Sequence, residues 1–262
     1  MLWGVGRGDR GDASPSGGEW PPFPVRPRSV PGVFAHIVFA LAVLAVVAPA
    51  VAAEVPVPGN FGDAMRWYER AAERGSAQAE FYLGVMLENG VRGEPDAEAA
   101  AGWYLKAAEQ GRVEAQSRIA EMYYEGRGVA RAPTDALRWF EAAAEGGWPS
   151  AQYNLALMYE RGIGGGANAK RAVRWYERAV ESGIDAARRQ LSYLYAVGGS
   201  GLEPDPIRAL MWLEIAAEAG LEGEGAYRDG LTGRMSADDI DEARALAADR
   251  LERLQGTAPA PR

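Results

Sequence analysis

Residues 151–183 read AQYNLALMYERGIGGGANAKRAVRWYERAVESG, and this stretch decides the fold because the chain repeats it. Thirty-six positions earlier, Ala115–Gly147 reads AQSRIAEMYYEGRGVARAPTDALRWFEAAAEGG, and Ala79–Gly111 before it reads AEFYLGVMLENGVRGEPDAEAAAGWYLKAAEQG. Trp67, Trp103, Trp139 and Trp175 stand 36 residues apart, and Trp212 follows after 37. A glycine lies eight residues after each tryptophan, at Gly75, Gly111, Gly147, Gly183 and Gly220. A second series, Gly90, Gly126, Gly162 and Gly198, marks the middle of each unit. A fixed period of this length is the signature of a solenoid, in which each unit buries its apolar face only against its neighbours.

Each unit contains two helical patterns. Ala151, Leu155, Met158 and Tyr159 share one face at helical spacing, and Ala172, Trp175, Ala179 and Val180 share another. Gly162 and Gly183 are placed to end these helices. The tryptophans fall among small residues on the apolar face, so they are expected to be core and not a stacking surface for ligand. The prediction is an all-α, α/α solenoid.

The pattern A-x-x-x-L-G/A-x-M-Y-x-x-G followed by A-x-x-W-Y/F-x-x-A-A-x-x-G resembles the Sel1-like repeat, a relative of the tetratricopeptide repeat. The resemblance covers about Gly62 to Gly220 and implies a right-handed superhelix of helix-turn-helix units. It also marks departures. Many secreted members carry a disulfide in each unit, whereas this chain has no cysteine. The Gly198–Pro204 linker is one residue longer than its counterparts, and the copy after Gly220 is degenerate, with Glu224 and Arg228 in its alanine and leucine places. Ser236-x-x-Asp239 reads as a capping box opening a helix over Met235–Leu254 that closes the stack, followed by a tail. The organisation expected is an N-terminal extension and leader over 1–53, the solenoid over 54–233, the capping helix over 234–255 and the tail over 256–262.

The 262 residues carry a net charge of −8. Residues 1–53 hold four arginines against three acidic residues, so the remainder stands at −9. That balance argues against nucleic acid or an anionic membrane surface as the main ligand. Arg26 and Arg28 precede the apolar run Val33–Ala48, and Pro49 and the small residues Ala50-Val51-Ala52-Ala53 follow it. This is the pattern of a secretory signal peptide cut after Ala52 or Ala53, giving a periplasmic or secreted protein. The alternative is a retained inner-membrane anchor. Val25 is a candidate alternative start that would leave a conventional leader.

The one histidine, His36, lies in the leader, so the exported chain is expected to have neither His nor Cys. Thiol nucleophiles, His-dependent triads and zinc sites of nitrogen and sulfur have no residues to use. Gly162–Gly166 (GIGGG) lacks the preceding strand and following Lys-Ser/Thr of a phosphate loop and reads as an inter-helix turn. Asp238, Asp239, Asp241 and Glu242 read as first-turn acids answering the helix dipole, not a calcium site. No catalytic residue, metal or cofactor is indicated.

The resemblance to tetratricopeptide repeats implies a concave face lined by the first helix of each unit. Mapped residue by residue, it takes Phe81, Val85, Glu88 and Asn89, then Ser117, Glu121, Tyr124 and Glu125. The next copy gives Tyr153, Leu157, Glu160 and Arg161, and the last gives Arg189, Tyr193 and Ala196. Aromatic and aliphatic contacts edged by carboxylates suit a peptide or helix carrying Lys or Arg with apolar anchors. The expectation is a non-catalytic protein-interaction scaffold or regulator binding a protein or peptide. The resemblance implies a membrane sensor or an envelope complex as the partner, and no nucleic acid. The alternatives are a cell-wall- or β-lactam-directed enzyme using carboxylates, and a membrane-tethered scaffold with an uncut leader.

Overall fold

The computed structural model describes residues 61–91, 93–220 and 225–256. The extension, the leader and its cleavage site, and the tail from residue 257 lie outside the described residues. Helix α1 (Phe61–Glu73) carries Trp67 in the register of a second helix. Four helical pairs follow: α2 (Ala77–Glu88) with α3 (Ala97–Glu109), α4 (Val113–Glu125) with α5 (Pro133–Glu145), α6 (Pro149–Arg161) with α7 (Ala169–Glu181), and α8 (Ala186–Val197) with α9 (Pro206–Glu218). A short α10 (Gly225–Thr232) and a long α11 (Ala237–Gly256) complete the stack. Each helix through α9 packs on the one before it, and α11 returns to pack on α9. The all-helical solenoid read from the period is what forms. Among the described residues, no helix is long and apolar enough to cross a membrane.

The same hydrogen bonds build each hairpin. Second helices start at Asp96, Asn168 and Asp205, whose side chains accept from the amides of Ala99, Arg171 and Arg208 at 2.9 Å. In the remaining unit Pro133 opens the helix instead, where its missing N–H costs nothing. The amide at the capping position also donates back to the last turn of the first helix. Asp96 bonds to Leu87 at 2.9 Å, Ala132 to Tyr123 at 2.9 Å, Asn168 to Tyr159 at 2.8 Å and Asp205 to Tyr195 at 2.7 Å. This one bond fixes how each hairpin folds back on itself.

Glycine is required at two points of the turn after α6. Gly162 ends the helix at φ 69°, in the left-handed region. Gly164 has φ 74°, and a Cβ there would collide with the carbonyl of Pro133. GIGGG is therefore a turn, as read, and it rests against the first turn of the preceding unit's second helix.

The core differs from the sequence reading in one respect. Of the period-keeping tryptophans only Trp212 is fully buried, whereas Trp67, Trp103, Trp139 and Trp175 are half-buried. The buried large residue is the one after each tryptophan: Tyr68, Tyr104, Phe140, Tyr176 and Leu213. Adjacent helical residues point about 100° apart, so a step of one changes which side chain points inward. Trp103 lies instead against the cluster of the preceding unit around Met65, Tyr68 and Leu83. Lys106 and Arg178 sit over the faces of Trp103 and Trp175, at 4.0 and 4.7 Å.

The C-terminal end accounts for the exception. The Ser236 and Asp239 side chains each bond to the other's amide, at 3.1 and 3.2 Å, so the capping box forms with aspartate in the usual glutamate place. The helix it opens starts two residues later than expected. Arg250 of α11 lies 5.8 Å over Trp212 and pairs with Glu181 at 2.9 Å, and α11 packs along α9, so the last tryptophan is fully buried. The degenerate copy still folds as α10, which buries Leu231 and pairs Arg228 with Glu214 at 3.4 Å.

Candidate functional site

The first helices present the face to which the sequence pointed, but they bury more of it than an open groove would. Residues 150–159 of α6 are buried along their whole length. Tyr153 and Leu157 are 2% and 1% exposed, and Ser117, Glu121 and Tyr124 are likewise buried. These positions, expected to line an open surface, lie at its floor. Phe81, Val85, Glu88, Glu125, Glu160 and Ala196 are half-buried, and Asn89, Arg161, Arg189 and Tyr193 are exposed. Each first helix packs against its own second helix and against the preceding one, which buries much of its circumference.

The carboxylates of this face are tied down by the second helices. The Tyr104 hydroxyl donates to Glu88 at 2.6 Å, and two units later the Tyr176 hydroxyl donates to Glu160 at 2.6 Å. Burial pushes both tyrosines up in pKa, and the neighbouring carboxylate pushes them further. Burial acts to raise Glu88 too, but Tyr104, Arg118 and Arg127 together hold it below its ordinary value. Arg127 pairs with Glu88 at 2.7 Å and with Glu125 at 3.2 Å. The unit between replaces both members of the pair, with Tyr124 and Phe140, and the last unit has Ala196 and Leu213. The face therefore alternates with a period of two units. The sequence reading placed Glu88 and Glu160 on this face but missed their partners, although the 16-residue spacing recurs in the text of the chain.

Aromatic rings follow the same alternation. Phe81 lies 5.7 Å from Tyr104, with the Arg112 guanidinium 5.0 Å over its ring. Tyr153 lies 5.4 Å from Tyr176. Between them Glu121 is 5% exposed, with Oε2 3.4 Å from Arg118 and Oε1 without a hydrogen bond. Burial pushes its pKa up to about 7 against the pull of Arg118. At the far end Tyr193 and Val197 stand 51% and 58% exposed.

A separate cleft of about 620 Å³ opens between the second helices α5 and α7, lined by Glu141, Glu145, Arg171, Arg174, Trp175 and Glu181 among others. Tyr159 reaches it from α6, donating to Glu141 and accepting from Arg171. Among the described residues no group of three or more His, Cys, Asp or Glu is arranged to hold a metal ion.

Stacked hairpins whose polar groups pair across units, along one continuous face, define a repeat scaffold, a class that recognises partners along a surface. The chain belongs to the Sel1 repeat family: the Sel1 repeat model matches residues 54–76, 77–111, 113–148, 149–184 and 185–221. Members of this family are in general protein-interaction scaffolds. A solved Sel1 repeat protein from Oxalobacter formigenes is 29% identical with a TM-score of 0.60, the match covering 72% of this chain and 79% of that one. A protective antigen present in uropathogenic Escherichia coli strains, displaying an SLR fold, is 25% identical over 78% of this chain and 53% of its own, with a TM-score of 0.43. No curated protein matches the chain.

Proposed function

We propose that this protein is a non-catalytic scaffold or regulator of the bacterial cell envelope, exported by the leader over residues 1–53, and that it takes a peptide or protein segment on the face of its first helices. The observation that carries this reading is the fixed alternation of Glu–Tyr pairs and aromatic rings along that face, ending at the exposed Tyr193 and Val197. Side chains already held in place lose little freedom when a partner arrives, which favours recognition. Membership in a family of interaction scaffolds supports a protein partner. A membrane sensor or an envelope complex is the partner class the reading favours.

The test is crosslinking in intact cells, comparing the wild type with a Phe81→Ala, Tyr193→Ala variant whose helix content is checked by circular dichroism. Neither side chain is fully buried, so the solenoid is expected to persist. The proposal expects one envelope protein to be captured by the wild type and lost from the variant. Capture by both moves the site to the second helices, and capture by neither removes the binding reading. Export is checked by N-terminal sequencing of the protein from cells, with Ala53 or Glu54 as the expected first residue. A chain still carrying residues 33–48 that needs detergent for extraction makes it a tethered scaffold.

A further inference from the structure

The residues around the cleft between α5 and α7 recur one unit further along the stack. Tyr159, Arg171 and Trp175 become Tyr195, Arg208 and Trp212, and Glu141 and Glu145 become Glu177 and Glu181. The contacts recur with them: Arg171 lies 5.3 Å over the Tyr159 ring, and Arg208 lies 5.6 Å over Tyr195. The downstream site is filled by the chain itself. There α11 packs on α9 and places Arg250 over Trp212 at 5.8 Å and against Glu181 at 2.9 Å. The upstream site stands open as the cleft of about 620 Å³, with Glu145, Arg171, Arg174 and Arg178 exposed around it.

Two substitutions distinguish the open site from the filled one. Met211 and Ile215 pack with the apolar cluster that holds Ala243 and Ala247 of α11, and Arg174 and Arg178 stand in their places upstream. These arginines are four residues apart on α7 and share one face of it. Arg178 lies 4.7 Å over the Trp175 ring, and Arg174 acts on Glu177 through its charge alone. Neither forms an ion pair among the described residues, and Glu145 on the opposite wall forms none. Glu141 and Arg171 are already joined through the Tyr159 hydroxyl. Between α3 and α5 the places of Arg171, Arg174 and Arg178 hold Asp135, Arg138 and Ala142, so the basic wall belongs to this cleft.

We propose that the α5–α7 cleft is a second interaction surface, which seats a partner helix carrying two acidic residues one turn apart and an arginine beyond them. The acidic pair meets Arg174 and Arg178, where the filled site is apolar, and the arginine meets Glu145 as Arg250 meets Glu181. A helix is the form of occupant that the downstream site already holds. Small-molecule sites are lined mainly by apolar groups, whereas this lining is mainly charged and suits the charged face of another protein. A helix without acids would cover two guanidinium groups and leave them unpaired, which opposes binding. A purely acidic helix would set like charges against Glu145. The inference does not depend on the first-helix face.

The test uses the purified full-length protein and three labelled peptides, with binding read by fluorescence anisotropy at low salt. Each peptide has the sequence of residues 237–256, with a staple on its outer side to hold it helical. One is unchanged, one carries Ala243→Glu and Ala247→Glu on the face that α11 buries, and the third adds Arg250→Ala to these. The wild type is expected to bind the doubly acidic peptide more tightly than the unchanged one by on the order of tenfold, and to lose part of that gain with Arg250→Ala. In the protein, Arg174→Met with Arg178→Ile gives the cleft the residues of the filled site and is expected to reverse the order. Both positions are exposed, so circular dichroism is expected to stay the same. Phe81→Ala with Tyr193→Ala is expected to bind the doubly acidic peptide as the wild type does, so this surface and the first-helix face fail separately. If the unchanged peptide binds the wild type best, or if Arg174→Met with Arg178→Ile keeps the wild-type order, the peptide displaces α11 or binds elsewhere and the seat is overturned. Absence of binding by all three peptides overturns it too, as does loss of binding in the Phe81→Ala, Tyr193→Ala protein.

Discussion

At the scale of single residues, the order of importance within the repeat is set by which of two adjacent aromatics points inward. Fully burying a tyrosine or phenylalanine side chain removes roughly 150–250 Å² from water, and truncating it to alanine costs about 3–5 kcal/mol. Tyr176→Ala and Phe140→Ala are expected to fall in that range by urea unfolding, with Trp175→Ala and Trp139→Ala costing less because each ring is only partly buried. Equal losses would mean that the tryptophans are core after all. Glu121 carries a pH signature. Its pKa is raised from 4.5 to about 7 by burial, with Arg118 and Arg127 opposing and Glu125 and Glu88 adding to the rise. The native state therefore holds this proton more tightly than the unfolded chain does. The stability tied to it is complete below about pH 4.5 and is lost as pH rises through 7. Glu121→Gln, neutral at every pH, is expected to match the wild type near pH 5 and to exceed it near pH 8 by up to about 3 kcal/mol. A variant equally stable at both pH values would show that the carboxylate is already solvated.

At the scale of elements, helix number, boundaries and the helix-ending glycines were legible because they repeat. Period alone fixed the unit, and the Ser236–Asp239 box fixed the start of α11 to within two residues. Two things were not legible. One was the pairing of Glu88 with Tyr104, because it crosses a turn and the sequence shows only spacing, not facing sides. The other was the depth of Tyr124, Tyr153 and Leu157, because exposure depends on what packs over a helix. The glycines two residues further on carry a signal of their own. Gly128 and Gly164 are 36 residues apart, and each lies against the start of the preceding unit's second helix, at Ala97 and Pro133. Gly164→Ala adds a side chain in the left-handed region at a backbone contact, and is expected to destabilise by on the order of 2–3 kcal/mol. Gly183→Ala, with nothing within 4 Å of the added carbon, pays only the conformational cost and should melt at a higher temperature than Gly164→Ala.

At the scale of the whole molecule, the stack has no single core, so stability is shared between neighbouring units. Local damage in one hairpin is expected to spread to the next hairpin before it reaches the far end. The α11 helix matters out of proportion to its apolar content, since its buried residues are Ala243 and Ala247 alone while it also covers Trp212. Ending the chain at Met235 uncovers that tryptophan and leaves Glu181 without Arg250. The expected outcome is a folded but less stable protein, its tryptophan emission shifted to longer wavelength.

The covering of Trp212 has a further meaning for assembly. Every internal unit offers the same join on both sides, so a bare final unit would be a template onto which the next molecule could add. Such head-to-tail contacts do not close, and they grow into filaments. Arg250 and the rest of α11 occupy that join in cis. That end of the stack is thereby closed in cis to a further unit adding in register.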